Sequence, residues 1–429
     1  MNQAALLFKM NQSLLPKLWQ KMITYLIVVL FLFMLTISTT AQNRSVGIVY
    51  DNSGSMQGTQ CDAVNYALQA MVGVLSPDDD LFVITMSDQK SYTIDLGNKQ
   101  KAIDQTIKQF SCKGGNPLKA VNKAIDQLGS SSKSEKWLLM LTDGEWQGIS
   151  NNAYPQLSRF IERADSRTLF LNLDVKEADA KNKLKRFLEQ YDLFPLQTLG
   201  QADKIIAQMG DMATTVMSMP STGIQWEVAG DEVQINSLVP LKRLIVIEQA
   251  ASAALPKVVQ ASASDNTQLK IEGPFNANKN TKRISLTGKI SHLRYPKDKQ
   301  VIPEGTIKVK FDQTVSNQDF KFLPEVAAKL EVSVEGYRSS RGNTYAICDT
   351  MSSVRIVAKL LDLDGQPLNK DVLRKAKVNY VDGKGIPKFP LKLDETNGAF
   401  TLRFPVSKNM HQIRIAAEHE DYFNYQSNI

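Results

Sequence analysis

The run Val46-Gly47-Ile48-Val49-Tyr50 leads directly into Asp51-Asn52-Ser53-Gly54-Ser55. The first five residues are an apolar run typical of a buried strand, and an acid and two hydroxyls follow at alternate positions. Because alternate residues of an extended segment point the same way, Asp51, Ser53 and Ser55 can converge on one hard cation. Oxygen ligands of this kind indicate Mg²⁺ or Mn²⁺, with positions left for water or a partner's carboxylate. The pattern favours recognition through a metal over bond-making chemistry.

Strand-like runs alternate with helical stripes from residue 44 to about residue 219. A stripe such as Val121, Ile125 and Leu128 follows the spacing of a helix packed on a core. The runs Leu81–Met86 and Tyr92–Leu96 are too close for a crossover helix, so one of them is expected to be an antiparallel edge strand. The pattern predicts an α/β fold, with a doubly wound, Rossmann-like sheet and helices on both faces.

The predicted secondary structure changes past Pro220, where short strands with alternating apolar and polar residues are separated by turn signals. These signals include Asp364-Gly365, Asp382-Gly383 and Asn397-Gly398. We predict two β-sandwich-like modules, a β-rich module at residues 221–324 and an Ig-like β-sandwich at residues 325–429. Several modules agree with a length of 429 residues, which is too long for one ordinary domain.

The N-terminal segment has the pattern of an export signal. Lys17 and Lys21 precede an apolar core at Ile23–Leu35, and a cleavage site is expected after Ala41. Residues 1–41 are therefore predicted to be a signal peptide, with an uncleaved membrane anchor as the alternative. In both cases the rest of the chain lies in the periplasm, the cell envelope or the extracellular space. Membrane contact is expected only if the segment stays uncleaved.

Charge argues against one class of function, and the cysteine content limits the possible disulfides. The formal net charge is +7, but no dense Lys/Arg tract with interleaved aromatic residues occurs, so nucleic-acid binding is not supported. The three cysteines are an odd number, so at least one is unpaired or pairs between chains. Cys61 and Cys112 either form a disulfide or are two small buried thiols. Cys348 is expected to be a core residue of the last module.

Two further segments accompany the opening motif. The apolar run Trp137–Leu141 leads into Thr142-Asp143-Gly144, and the loop Lys113-Gly114-Gly115-Asn116 precedes a helix predicted to begin at Pro117. Ligands of doubly wound sheets gather beyond the carboxyl ends of the strands. All three segments are predicted to lie on that edge.

Residues 44–219 resemble a von Willebrand factor type A (VWA) domain with its metal-ion-dependent adhesion site. Asp51, Ser53 and Ser55 match the DxSxS part of that site, and Asp143 matches the later acid in a Thr-Asp-Gly stretch. Asn116 stands where the family has a threonine. An asparagine side chain can ligate a cation through its amide oxygen, but it is longer than a threonine side chain and so changes the distance at which it reaches the cation. The resemblance implies a site that holds Mg²⁺, or Mn²⁺ or Ca²⁺. Its expected ligand set is Asp51, Ser53, Ser55, Asn116 and Asp143.

The resemblance also implies a function. Such a site leaves the cation electrophilic toward an acidic group, so the chain is expected to bind a protein or surface ligand and not to be an enzyme. One alternative is a metal-independent envelope scaffold with a vestigial site. Another is a phosphatase of the haloacid dehalogenase type with Asp51 as nucleophile, although Ser53 stands where that chemistry needs a second acid. The histidines His292, His411 and His419 lie in the β region without a catalytic motif around them.

Overall fold

The described parts of the chain cover most of the predicted modules. The computed structural model describes residues 44–115, 119–142, 155–161, 163, 165–172, 196–197, 202–250, 255–297, 300–315, 320–335, 338–340, 343–345, 353–381, 387–405 and 414–428. The predicted signal segment, Asn116, Asp143, His411 and Cys348 lie outside these ranges. Within these ranges, no helix has the length and apolar character needed to span a bilayer.

The first part of the chain forms a six-stranded mixed sheet in the order β3-β2-β1-β4-β5-β6. Its neighbours pair in parallel except β2 and β3, which are antiparallel, so the predicted antiparallel edge strand is confirmed. Apolar runs such as β1 are buried throughout, as expected for a parallel sheet covered on both faces. The strands are β1 (Arg44–Tyr50), β2 (Asp80–Thr85), β3 (Ser91–Ile94), β4 (Glu135–Thr142), β5 (Ser166–Asn172) and β6 (Leu196–Gln197).

Helices cover both faces of this sheet, as the sequence predicts. Alternate residues of β1 point to opposite faces, so Val46 and Ile48 join one core while Val49 joins the other. The first core is closed by α1 and α5 and the second by α3 and α4. The helices are α1 (Thr59–Val74), α2 (Lys99–Gln105), α3 (Lys119–Gly129), α4 (Pro155–Ile161) and α5 (Ala202–Val216).

The next part of the chain forms two four-stranded antiparallel sheets, in the orders β10-β13-β8-β7 and β11-β12-β9-β14. The strands are β7 (Glu227–Ala229), β8 (Glu232–Ser237), β9 (Leu241–Ala250), β10 (Val258–Ser262), β11 (Lys270–Asn280), β12 (Ser285–Arg294), β13 (Gly305–Phe311) and β14 (Phe320–Val326).

The C-terminal part again contains two four-stranded antiparallel sheets, β15-β18-β22-β21 and β20-β19-β23-β24, and a short β16-β17 pair. Buried residues of all four larger β sheets contribute to one hydrophobic cluster. The sandwich-like arrangement and the division at residue 324 stay predictions. The elements are β15 (Ala328–Glu335), β16 (Arg338–Ser340), β17 (Asn343–Tyr345), β18 (Ser353–Asp362), α6 (Lys370–Lys375), β19 (Lys377–Val381), β20 (Pro387–Pro390), β21 (Lys392–Asp394), β22 (Ala399–Pro405), β23 (Arg414–His419) and β24 (Phe423–Asn428).

The sheet β11-β12-β9-β14 packs directly on α1. Ile245, Ile290 and Leu323 belong to the same buried cluster as the α1 side chains. Gly73 of α1 lies so close to this sheet that a Cβ at its position would overlap Ile290. Residues 43–429 accordingly form one compact unit by their contacts. The α/β domain and the sheet β11-β12-β9-β14 therefore share a core.

Buried ion pairs cross the same joint. Arg44 of β1 pairs with Asp79 at 3.0 Å and with Glu325 of β14 at 3.4 Å. Glu325 also pairs with Arg243 of β9, which stands directly opposite in the sheet register. The side chains of Arg44 and Arg243 are 2% and 1% exposed. Two arginines and two carboxylates from different parts of the chain thus neutralise one another in the buried joint.

The carboxyl end of α1 is capped by side chains from other elements. The final carbonyls of a helix lack intrahelical partners. Lys99 Nζ donates to the carbonyls of Gly73 (2.9 Å) and Leu75, and Arg243 Nη1 donates to Leu75 O at 3.3 Å. His292 Nε2 lies 2.7 Å from Gly73 O. Burial, then the charge of Arg243, lowers the pKa of Lys99 to about 6.

Candidate metal site

Asp51 begins a loop at the carboxyl end of β1, and we name residues 51–58 the serine loop. The backbone N–H of Asp51 donates to Leu141 O at 2.8 Å, which extends the pairing of β1 with β4 by one residue. The Asp51 side chain is fully buried, and its Oδ1 accepts from the backbone N–H of Ser53 at 3.1 Å. Such a bond from an Asp to the backbone two residues on is an Asx turn. The carboxylate is therefore held in one orientation.

The two serine hydroxyls converge. Ser53 Oγ and Ser55 Oγ are 2.9 Å apart, with Ser53 buried and Ser55 exposed. A 3₁₀ turn at Gly54–Met56 follows Ser53, and it brings the second hydroxyl back beside the first. The two serine hydroxyls are thus close together, and Asp51 is bonded to the backbone N–H of Ser53; that the three side chains hold a cation stays a prediction. Of these groups only Ser55 is exposed, while Ser53 and Asp51 are buried.

Thr142 is a neighbour of the site that sequence reasoning left without a role. Its Oγ1 donates to Asp51 Oδ2 at 2.7 Å. Tyr50 and Leu141 are register partners in parallel strands, so the residues that follow them, Asp51 and Thr142, come side by side. The Thr-Asp-Gly stretch indicated that this position lies near the site. Only the strand register shows that the Thr142 hydroxyl lies beside the Asp51 carboxylate.

A second loop, residues 111–115, is bonded to the serine loop. Asn52 Nδ2 donates to Ser111 O at 3.1 Å, and Lys113 N donates to Asn52 O at 2.6 Å. Gly54 N donates to Gly114 O at 2.9 Å. Gly114 has φ +90°, which favours glycine because a side chain would be strained there. These bonds hold the described part of the second loop against Asn52 and Gly54 of the serine loop.

A disulfide joins the same two segments. Cys61, in the first turn of α1, is bonded to Cys112, and their Cα atoms are 6.1 Å apart. The structure therefore decides between the two alternatives for this pair. Tyr50 Oη lies 3.0 Å from Cys112 Sγ and 3.4 Å from Cys61 Sγ. Burial, followed by the charge of Asp51, raises the pKa of Tyr50, so the phenol stays neutral.

The remaining predicted ligands, Asn116 and Asp143, lie outside the described residues and stay predictions. Gly114 and Thr142, which lie shortly before them in the sequence, contact the serine loop through the bonds above. In the described part of the chain, no group of three or more His, Cys, Asp or Glu side chains could hold a metal. A site based on hydroxyl oxygens is not such a group.

The donor set suits a hard divalent cation. Hydroxyl and carboxylate oxygens are the ligands that Mg²⁺ prefers, and Ser53 and Ser55 supply two adjacent ones. Asp51, with both carboxylate oxygens already bonded, suits a role in which it orients ligands from below. Its lack of exposed surface disfavours use as a phosphatase nucleophile.

The two described histidines, His292 and His419, do not form a second site. His292 and His419 lie in β12 and β23, as expected for strand residues, and both are buried. His292 belongs to the joint with α1, and His419 Nδ1 accepts from the backbone N–H of Asp421 at 3.1 Å.

Comparison with known families identifies the α/β part. Residues 46–145 match the family model of the von Willebrand factor type A domain. This range contains the serine loop, the disulfide and strands β1 to β4. The chain therefore contains a VWA-type α/β domain, a class made up mostly of protein-interaction modules. No functionally curated protein matches the chain.

Several solved structures are similar at low sequence identity. A von Willebrand factor type A protein from Catenulispora acidiphila is 12% identical with a TM-score of 0.34, over 75% of this chain and 64% of that one. The vWF domain of the type V pili tip protein Mfa5 from Porphyromonas gingivalis is 11% identical with a TM-score of 0.32, over 41% and 95%. The PilB minor pilin from Streptococcus sanguinis is 12% identical with a TM-score of 0.31, over 42% and 63%. Similarity at this level says nothing about function.

Proposed function

We propose that this protein binds an acidic group of a partner protein or surface ligand through a divalent cation, without enzymatic activity. The observation that carries the proposal is the convergence of Asp51, Ser53 and Ser55 at the carboxyl edge of a VWA-type sheet. Ligands of α/β sheets collect at this edge.

The proposed ligand set is Ser53 and Ser55, assisted by Asp51, Asn116 and Asp143. When bound, Mg²⁺ (or Mn²⁺ or Ca²⁺) would supply an electrophilic centre for a carboxylate. Two acidic residues do not over-neutralise a divalent cation, so it would keep affinity for a third acidic group. Thr142 and the Asp51 Asx turn would keep the anionic part of the site fixed before the cation binds.

The proposed location is extracytoplasmic. Residues 1–41 have the pattern of a signal peptide, and the Cys61–Cys112 disulfide agrees with an oxidising compartment. The antiparallel sheets after Pro220 would form two β-sandwich-like modules that act as a spacer or second docking surface. The joint with α1 would hold the first of them rigidly against the VWA domain.

Thermal melting in the presence of Mg²⁺ or Mn²⁺ tests the proposal. At a free cation concentration about a hundred times its Kd, binding to the folded state adds about 2.7 kcal/mol, so the melting temperature should rise by several degrees. The double variant S53A/S55A should lose this rise. A matched control is S130A/S132A, which removes two serines of the same spacing from the loop that precedes β4, at the opposite end of that strand.

Three outcomes of the melting experiment, together with a phosphatase assay, separate the alternatives. A rise in the wild type and the control but not in S53A/S55A supports the metal site. No rise in the wild type contradicts it and favours the metal-independent scaffold. An equal rise in all three proteins places the cation elsewhere. Turnover of a generic phosphomonoester that D51N abolishes would instead favour the phosphatase alternative.

A further inference from the structure

The hairpin formed by β11 and β12 reaches the serine loop. Asp62, in the first turn of α1, accepts from Thr281 Oγ1 at 2.9 Å and from Arg283 Nη1 at 3.4 Å. A Cβ on Gly58, the last residue of the serine loop, would lie 3.8 Å from Arg283 Nε. We name residues 280–285 the hairpin tip. It contacts the end of the serine loop that carries the candidate metal site, although it is more than 200 residues away in sequence.

Side chains of α1 and α2 hold this hairpin along its length. Gln69 pairs with the backbone of Asn278 in both directions, accepting from its N–H at 3.0 Å and donating to its carbonyl at 3.1 Å. Gln100 Oε1 accepts from the backbone N–H of Asn276 at 2.6 Å. β11 is an edge strand, and these amides satisfy backbone groups that such an edge leaves without a partner strand. The tip is therefore fixed in place beside the serine loop.

The tip brings positive charge to the rim of the site. Arg283 is 57% exposed even though it contacts Asp62, whose side chain is 11% exposed. Lys282 is exposed. Lys113 is also exposed, and it follows Cys112, the cysteine that is bonded to Cys61 of α1. Lys279 Nζ lies 3.7 Å from Asp62 Oδ1. Asp62 therefore pairs with two basic groups, Lys279 and Arg283, while Lys113 and Lys282 add two exposed positive charges on the neighbouring segments.

The charge on the opposite side of the serine loop is balanced. Ser87 N donates to Asn52 Oδ1 at 2.9 Å, so the turn after β2 also borders the loop. That turn carries Asp88 and Lys90, which are both exposed and of opposite sign. The excess of positive charge lies toward the hairpin tip.

We propose that the hairpin tip and Lys113 form a basic rim of the binding surface and that the partner is an acidic segment of a protein. One carboxylate would meet the cation, and neighbouring acidic side chains would meet Arg283 and Lys282. Only the first contact rests on the proposed function. A guanidinium suits carboxylates because it can donate two parallel hydrogen bonds. Exposed charges of this kind also speed association and make it salt-dependent.

Binding of the full-length protein to immobilised poly-L-glutamate tests the rim. In the presence of Mg²⁺, the variant K282A/R283A should bind about tenfold more weakly than the wild type, since two rim charges together contribute about 1.4 kcal/mol. The matched control K308A/K310A removes two exposed lysines from β13 with the same change in net charge and should bind like the wild type. K282E, which keeps the Arg283 contact with Asp62, should also weaken binding. Melting temperatures check that the variants remain folded.

The outcomes distinguish the rim from the metal. Binding that EDTA abolishes but that K282A/R283A and K282E leave unchanged overturns the rim and leaves the proposed function standing. Binding that resists EDTA but falls in K282A/R283A supports the rim and contradicts the metal. If the wild type does not bind poly-L-glutamate in either buffer, the acidic partner class is wrong.

Discussion

Replacing Glu325 with glutamine removes one negative charge from the joint between the α/β domain and the β sheets. The Glu325 side chain is 12% exposed and pairs with Arg44 and Arg243. Both arginines are almost fully buried, and Asp79 at 3.0 Å from Arg44 would be the remaining acidic partner among the described pairs. The E325Q variant keeps the size of the side chain but leaves Arg243 without its carboxylate.

Two estimates of the cost agree. Breaking a buried ion pair by removing one partner typically costs about 3–5 kcal/mol, because an uncompensated charge stays buried. Burial by itself would raise the pKa of Glu325, but Arg243 and then Arg44 lower it from 4.5 to about 2. That difference corresponds to roughly 3 kcal/mol in favour of the folded state. We therefore expect E325Q to lower the free energy of unfolding by about 3 kcal/mol or more.

Urea unfolding at several pH values measures this effect. A carboxylate whose pKa is depressed in the folded state stabilises the protein above its ordinary pKa and loses this effect as the pH falls. The difference between wild type and E325Q should thus be constant at neutral pH and shrink as the pH falls from 4.5 towards about 2. Circular dichroism and tryptophan fluorescence should report coincident transitions if unfolding is two-state.

A surface carboxylate provides the control. Glu335 pairs with Arg355 at 3.1 Å, but the two side chains are 56% and 43% exposed. E335Q should therefore change the free energy of unfolding by less than about 1 kcal/mol. If E325Q costs no more than E335Q, or if its cost persists unchanged in acid, the joint is not held by this ion pair.

Two further predictions concern the joint and the disulfide. Arg243 Nη1, which can only donate, lies 3.2 Å from His292 Nδ1, so His292 is neutral and donates from Nε2 to Gly73 O. Burial, then the charges of Arg243 and Lys99, holds the pKa of His292 well below 6.5, so the wild type should lose stability as the pH falls below 6.5. The asparagine of H292N keeps a hydrogen-bond donor and an acceptor but does not titrate. In urea melts, the free energy of unfolding of H292N should therefore fall less in acid than that of the wild type. Equal dependence of the two free energies on pH would contradict this prediction. The variant C61S/C112S opens a disulfide between residues 51 apart and should lower the free energy of unfolding by about 2–4 kcal/mol. Thiol titration of the denatured, unreduced wild type should find one of the three cysteines free, and three reactive thiols would exclude the disulfide.

The α/β architecture was predictable because it follows from local patterns. Buried parallel strands are continuous apolar runs, and helices packed on them carry stripes such as Val121, Ile125 and Leu128. The antiparallel edge strand followed from the short connection between β2 and β3. The convergence of Ser53 and Ser55 was likewise local, since it depends on three residues of one turn.

The surroundings of the site were not predictable in the same way. Arg283 and Gly58 are separated by 225 residues, and neither segment carries a sequence pattern that predicts their contact. Glu325 and Arg44 are separated by 281 residues, and their pairing depends on how the sheet of β14 packs against the α/β domain. Cys61 and Cys112 stayed undecided because spacing alone does not specify a disulfide.

The sequence by itself determined the α/β domain and the core of the candidate site, because strand periodicity, helix periodicity and turn chemistry act over a few residues. Only the tertiary structure decided that the sheet β11-β12-β9-β14 shares a core with α1 and that buried ion pairs cross the joint. It also decided that a basic hairpin tip borders the serine loop. These features depend on packing between segments distant in the chain. The side chains involved gain their partners only when those surfaces meet and exclude water.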